Sequence, residues 1–417
     1  MAPLGQPQTQ GLQLEKVRDK AYLLYERDDQ LFGKIKKLDK DNVSFRPERI
    51  PVQVLAGGNL LQFDPNGGDM QQGSGTTWDY GTLSQVFLAF GVQITAAADW
   101  ATDSKEKAIE DVPSAEVENS MAQFSKAIDN LLNTDGSATF DTVVSSTGSQ
   151  ITVNNGNQFS DNFIYQCFHA LGQASYATIQ VLSVDPNAKV LYLTGAVPAG
   201  MAAGDLLVMQ GAPGTAASSI LGIEYYDTNS NTGSWLNLAR TSYPGKLKAP
   251  YVNGSNGNVT PQIIRRMLSQ LEIAVGMEVA DREDLLFYMG LDMRASWENS
   301  TLAVSSVFAN EVKGDTTYDL LKKSAPSTAG GRKTMYSLHA KPQRIDGLLL
   351  KYWFRAESRA LDFYNVKGQT VFPLYGASGG LSAQSIFYLV AGFNVALANP
   401  RAAVYADSFA AQNGYEP

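Results

Sequence analysis

IPVQVLAGGNLLQFDPNGGDMQQGSGTTWDYGTLSQVFLAFGVQIT, residues 50–95, is the stretch on which the reading of the fold turns. From Ile50 to Ser104 there is no Lys, Arg or Glu, and Asp64, Asp69, Asp79, Asp99 and Asp103 are the only charges. Both flanks read as strand, Ile50 to Phe63 and Leu83 to Thr95. The middle, Asp64 to Tyr80, is rich in turn residues and carries Gly67, Gly68, Gly73 and Gly75. A long two-stranded arm without a core of its own is marginal in water. It needs another surface to lie on, and a neighbouring copy of the same chain is the natural one, since extended backbone offers edge groups for pairing. Assembly, rather than chemistry, is the first expectation.

On the N-terminal side, Leu14, Val17, Ala21, Leu24, Leu31, Ile35 and Leu38 follow a three-four spacing interrupted by Asp28, which predicts an amphipathic helix over Leu12–Leu38. That helix docks either on its own domain or, as an arm, on another subunit. On the C-terminal side, Val117, Met121, Phe124, Ile128 and Leu131 form one helical stripe, with Glu116, Glu118, Lys126 and Asp129 off it. Pro113 suits the first turn, and Asn133-Thr-Asp-Gly136 ends the helix on the residue that most easily caps it. Thr102–Asp111 reads as an earlier helical piece.

The stretch from Phe140 to Gly257 changes character, with strand patterns at Ser149–Val153, Ala177–Val184, Lys189–Leu193 and Asp205–Met209, and a turn at Asp185-Pro-Asn-Ala188. Its tail from Tyr243 reads as loop. Helical periodicity returns at Thr260, an N-cap before Pro261, with Ile263, Ile264, Met267, Leu268, Leu271 and Val275 on the inner face. Asp284–Met289 reads as a buried strand, Ser296–Ala309 as a helix, and Gly347–Phe354 and Thr370–Leu374 as extended.

The chain has 417 residues, of which 44% are apolar, enough for two or three domains with real cores. A net charge of -8 argues against tracking a phosphate backbone, which needs clustered Lys and Arg. One cysteine, Cys167, excludes an internal disulfide framework and a Cys-rich zinc site. No secretory signal opens the chain, and its most apolar run, Ile386–Ala398, falls short of the about 20 residues a membrane span needs.

Chemical motifs are thin. Gly376-Ala-Ser-Gly-Gly380 fits a nucleophile elbow, but the last histidine, His339, precedes Ser378, against the chain order of that fold. A flexible turn is the better reading, and a serine hydrolase using Ser378 stands as the alternative from another class. Cys167 and His169 are too few for a metal site, and His339 has no acid partner nearby in sequence. Asp39-Lys-Asp-Asn42 begins like a calcium loop but has Ser44 at its sixth position. Asp281, Glu283 and Asp284 cluster with Arg282 as on a solvated surface. No catalytic residue, metal or cofactor is expected.

In order, these parts resemble the major capsid protein of tailed bacteriophages, whose fold is shared with herpesvirus shells. The similar phrases are Phe45-Arg-Pro-Glu-Arg-Ile-Pro51, Leu60-Leu-Gln-Phe-Asp-Pro-Asn-Gly-Gly68, Gly379-Gly-Leu-Ser-Ala-Gln-Ser-Ile-Phe-Tyr388 and Ala398-Asn-Pro-Arg401. The resemblance implies an α+β chain with an N-terminal arm (1–49), an extended loop hairpin (50–97), a peripheral domain with its spine helix (98–139), a β-rich insertion lobe (140–257) and an axial domain that returns to the peripheral one (258–417). It implies that Leu60, Phe63, Asp64, Asp69, Trp78 and Tyr80 touch the next subunit, and that Val117, Met121, Phe124, Ile128 and Leu131 lie on the spine helix. It implies self-assembly into hexamers and pentamers of an icosahedral head that encloses DNA without reading its sequence. The expected location is the virion capsid, assembled in the host cytoplasm. A separate scaffolding protein, a portal and a decoration or cement protein are the expected partners. Some members crosslink through a loop lysine; no lysine occurs between Lys40 and Lys105, so that bond is not available. An encapsulin-like compartment of the same fold is the nearer alternative.

Overall fold

The computed structural model describes residues 31–38, 48–60, 73–95, 112–277, 284–309, 328–329, 332–366, 369–375 and 381–412. Phe63, Asp64, Asp69, Ser378, the calcium-like Asp39–Asn42, the Asp281–Glu283 cluster and the Thr102–Asp111 segment lie outside them, as does the expected helix up to residue 30.

The predicted first helix does not extend to Leu38. Residues 31–35 form turns, and β1 (Lys36–Lys37) runs parallel to a strand of the central sheet. The reason lies in another element: Asp129 of the helix over Val112–Leu132 accepts hydrogen bonds from the N–H groups of Leu31 (3.0 Å) and Phe32 (3.1 Å), which holds the backbone in turns there. Leu31 and Ile35 are buried all the same.

The hairpin is shorter than expected and returns earlier. β2 (Glu48–Leu55) pairs with β3 (Thr77–Leu83), so Thr77–Tyr80, expected in the turn-rich middle, is strand. β4 (Val86–Thr95), expected as the return strand, breaks away after Ser84-Gln85 and joins a different sheet. α1 (Val112–Leu132) follows and ends four residues before the expected cap; Gly136, with φ 85°, a value glycine adopts without strain, lies in the turn after it.

The next six strands, β5 (Thr139–Thr147), β6 (Gln150–Val153), β7 (Ile164–Phe168), β8 (Ala177–Asp185), β9 (Val190–Leu193) and β10 (Leu206–Met209), close into a barrel in the order β10-β5-β6-β9-β8-β7. Alternation fills it: Ile151, Val153, Tyr165, Cys167, Val181 and Leu191 point inward and are buried. Asp185 Oδ1 accepts the N–H groups of Asn187 and Ala188 in the expected turn. Residues 210–257, read as part of the same lobe, leave the barrel and pack on the body through α2 (Ile223–Tyr226), β11 (Ser234–Trp235), β12 (Leu238–Ala239) and β13 (Tyr251–Asn253).

α3 (Pro261–Val275) starts as expected, with the Thr260 hydroxyl accepting from Ile263 N–H. Then come β14 (Leu285–Met289), α4 (Leu291–Ala309), β15 (Thr328–Ala329), β16 (Arg332–Tyr336), β17 (Ile345–Leu349), β18 (Trp353–Phe363), β19 (Val371–Tyr375), β20 (Leu381–Leu397) and β21 (Ala403–Asp407). Two sheets result. A six-stranded one runs β13-β21-β17-β14-β16-β15, and a five-stranded central one sets β18, with β1 on its outer edge, and β19 end to end on one side of β20, with β4 on the other. All five residues of β14 are buried: Leu286 and Tyr288 face the larger core, while Leu285, Phe287 and Met289 face a second one under α3. No described helix is long and apolar enough to cross a membrane.

Candidate assembly surface

Among the described residues, β2 and β3 pair only with each other. Leu60 is 99% exposed, Trp78 62% and Tyr80 49%, and Leu55 is exposed beside them. Several large apolar side chains left in water on one short arm make it a candidate for a surface that meets another. Arg49 lies over the Tyr80 ring at 4.8 Å, and Trp78 Nε1 donates to Thr76 Oγ1 at 3.2 Å, so the aromatic side chains have defined positions before any partner arrives.

The spine stripe divides. Phe124, Ile128 and Leu131 are buried and Val117 is half-buried against the same core, but Met121 is 36% exposed, so it lies at the edge of the packed face. Phe90 of β4 explains why this helix lies where it does: its ring stacks on Phe124 at 6.0 Å and meets Phe163 of the barrel lobe at 5.5 Å. Lys126 Nζ donates to the Phe159 carbonyl and Asn130 Nδ2 to that of Gln158, fastening the lobe to the helix.

Of the residues weighed for chemistry, Cys167, His169, His339 and Asp284 are described, and each is held within the fold. Cys167 is buried in the barrel, and burial, with Asp205 nearby, pushes its thiol up to about 12, far from a reactive thiolate. His169 stacks on Tyr176 (4.1 Å between centroids), and both bond to Asp205, at 2.9 Å through Nδ1 and 2.7 Å through the phenol. Burial raises the Asp205 carboxyl, but the Ala202 N–H, His169 and Tyr176 outweigh it and hold the carboxyl below its usual range. This cluster ties the loop after β7 to the start of β10. His339 is fully buried, its carbonyl accepting from Gln158 Nε2 and its N–H donating to Ser337 Oγ. Asp284 accepts from the backbone N–H of Lys351. Among the described residues there is no group of three or more His, Cys, Asp or Glu able to hold a metal ion.

Sequence reasoning missed one charged centre. Arg344 Nε donates to Asp346 Oδ1 at 2.7 Å, another guanidinium nitrogen donates to the Asp227 carbonyl at 3.0 Å, and the group lies over the Tyr405 ring at 4.5 Å. Burial pushes the Asp227 carboxyl well above the ordinary range and Asp346 pushes it further, with Arg344 and Arg240 opposing. These residues are scattered along the chain, so no local motif announces them.

Compared whole, the chain superposes on a chain of the cyanophage A-1(L) capsid asymmetric unit with a TM-score of 0.56, covering 95% of this chain and 97% of that one at 12% identity. The fold is that of a tailed-phage capsid protein. Matches to the capsid of a native GTA particle (TM-score 0.49, 12% identity, 95% and 94% covered) and to the capsid of Myoviridae phage XM1 (0.49, 9%, 94% and 96%) are weaker and carry no weight in that statement. No protein-family model matches the chain, and no curated protein matches it in sequence.

Proposed function

We propose that this chain is the coat subunit of a tailed-phage head, assembling with copies of itself into hexamers and pentamers of a closed shell around DNA. One observation carries the reading: in a chain of this fold, the β2–β3 arm exposes Leu55, Leu60, Trp78 and Tyr80 with no core of its own. Leu60, Phe63, Asp64, Asp69, Trp78 and Tyr80 would lie over the neighbouring copy, burying apolar surface that each protomer leaves wet. Many such weak contacts around a closed shell add cooperatively. With no lysine from residue 50 to 104, this arm cannot supply the lysine of an isopeptide crosslink, and its contacts would be held by burial and hydrogen bonds. The acidic balance lets DNA lie inside without sticking to the wall. A scaffolding protein, a portal and a decoration protein are the partners such a head calls for, and the virion capsid, built in the host cytoplasm, is its place.

Negative-stain microscopy of the purified chain, alone and co-expressed with phage head proteins, tests this. Closed shells, tubes or capsomer rings are expected. Monomers in every condition would overturn the reading, and shells filled with protein cargo instead of DNA would move it to an encapsulin-like compartment. Joining Leu55 to Thr77 through a two-residue Asn-Gly turn keeps the β2–β3 register and removes the tip. This variant is expected to stay folded and soluble and to form no shells.

A further inference from the structure

The base of the hairpin is gripped by residues 223–249, which the sequence places in the β-rich lobe and its loop-like tail from Tyr243. β11 and β12 are joined by Leu236 and Asn237, both in the left-handed region with φ of 46° and 68°. Such two-residue turns favour Asn-Gly, and a leucine there is strained unless its surroundings hold it. Here they do. The Leu236 side chain is buried, its N–H donates to Tyr225 Oη at 2.9 Å, and its carbonyl accepts from the Thr82 N–H of β3 at 2.8 Å. Gly81 makes room for it, since a Cβ at that position would stand 2.8 Å from Leu236 Cβ.

Two side chains extend the grip. Asn237 Nδ2 donates to Thr82 Oγ1, and Tyr243 Oη donates to Asp79 Oδ2 at 2.9 Å. The far side of the turn is anchored in turn. Arg240 donates to the carbonyls of Ser234, Leu247 and Tyr225, and Tyr226 Oη donates to the Val395 carbonyl of β20 at 2.8 Å. The Tyr226 ring meets Trp353 of β18 edge-on at 5.4 Å. A continuous chain of contacts therefore runs from the central sheet to the root of the arm.

We propose that residues 223–249 are an internal clip that sets the direction in which the β2–β3 arm leaves the body, with Leu236, Asn237 and Tyr243 as its positioning residues. Val54 and Leu83 of the arm are buried in the larger core, and Asn394 Nδ2 donates to the Ser84 carbonyl at 2.7 Å; without the clip's hydrogen bonds, the rest of the two strands would be freer to turn about these holds. A direction fixed in advance reduces the ordering cost when the arm meets another surface. The clip is a property of the single chain, and only its use in assembly rests on the shell reading.

The Thr82 amide reports on the clip directly, because it bonds to Leu236 and not to β2. Residue-resolved hydrogen exchange on the soluble full-length chain compares wild type with Tyr243→Phe, Asn237→Ala and the double variant. Thr82 is expected to be protected in wild type and to exchange about tenfold faster in the double variant, as suits the loss of one buried hydrogen bond's worth of stability. The β14 amides should not move. A Thr82 amide that is unprotected in wild type, or equally protected in the double variant, overturns the proposal. If β14 also loosens in the double variant, Gly81→Ala decides, since it drives a methyl into Leu236 and leaves the anchors of the clip alone. Faster Thr82 exchange then supports the clip and unchanged exchange overturns it. Failure to form shells bears on the coat reading alone, because the exchange experiment needs none.

Discussion

β14 and the β2–β3 arm are both extended chain, yet they sit at opposite ends of one scale. β14 is buried on both faces, paired to β17 and β16, and divides its side chains between two cores. Among the described residues, the arm's two strands pair only with each other, and although Val54 and Leu83 are buried, Leu55, Trp78 and Tyr80 face water. The first is complete in the free chain. The second has its backbone and its root in place, and on the proposed reading a neighbouring copy would cover the rest. Free energy of folding therefore concentrates in the sheets, and the surface that would drive association concentrates in the arm.

Breaking the complete end should cost most. Phe287→Ala removes a fully buried ring from the centre of β14 and is expected to destabilise the free chain by about 4 kcal/mol, read as a fall in the urea unfolding midpoint. A loss under about 1 kcal/mol would show that the second core is looser than its burial suggests. Asp346→Ala, which strands the buried Arg344 guanidinium, should cost about 3 kcal/mol in the same assay.

The Asp227 carboxyl makes a pH prediction. Burial, chiefly, and Asp346 raise it in the folded chain, so the folded state holds a proton that the unfolded chain releases above about pH 4. Its contribution is fully present below that value and is lost as pH rises through the raised one. Asp227→Asn cannot ionise, and its unfolding midpoint should gain on wild type steadily as pH climbs from about 4. A constant difference across that range would refute the assignment. At the incomplete end, Trp78→Ala should change the free chain by less than about 0.5 kcal/mol. Shell yield by microscopy should nonetheless fall, and equal yields would remove Trp78 from the contact.

Legibility followed the same division. Where one face is wet and one dry, the sequence carries a period, and α3 with its Thr260 cap and the strands around Asp185-Pro186 stand where that period put them. Register in the uncharged stretch is less visible. Thr77–Leu83 alternates polar and apolar residues but sits among glycines, and the boundary at Ser84-Gln85 is set by pairing with β20, a partner about three hundred residues away. The turn at residues 31–35 was missed for a similar reason, because Asp129 dictates it from another element. Of the six residues proposed for contact with the next copy, Leu60, Trp78 and Tyr80 are described, and all three are exposed apolar side chains, as a segment with so little local core suggests. The clip could not: nothing next to Tyr243 in the chain points to Asp79, and a leucine in a left-handed turn is the opposite of the usual signal.

The six-stranded barrel leaves and rejoins the body at one place, since Thr139 at its start is the register partner of Val208 at its end. A lobe on a single stem is a unit of exchange. Its turns can lengthen, or the whole barrel can be swapped for another closed fold with neighbouring ends, without altering the path of the sheets beneath. The cost is the seam made by Lys126, Asn130 and Phe163. For anyone wishing to present a foreign peptide on this scaffold, the turn at Gly148 between β5 and β6, left-handed and with open space where a Cβ would stand, is a place to graft, provided the bonds from Val197 N–H to the Gly148 carbonyl and from Leu193 N–H to that of Ser149 are kept.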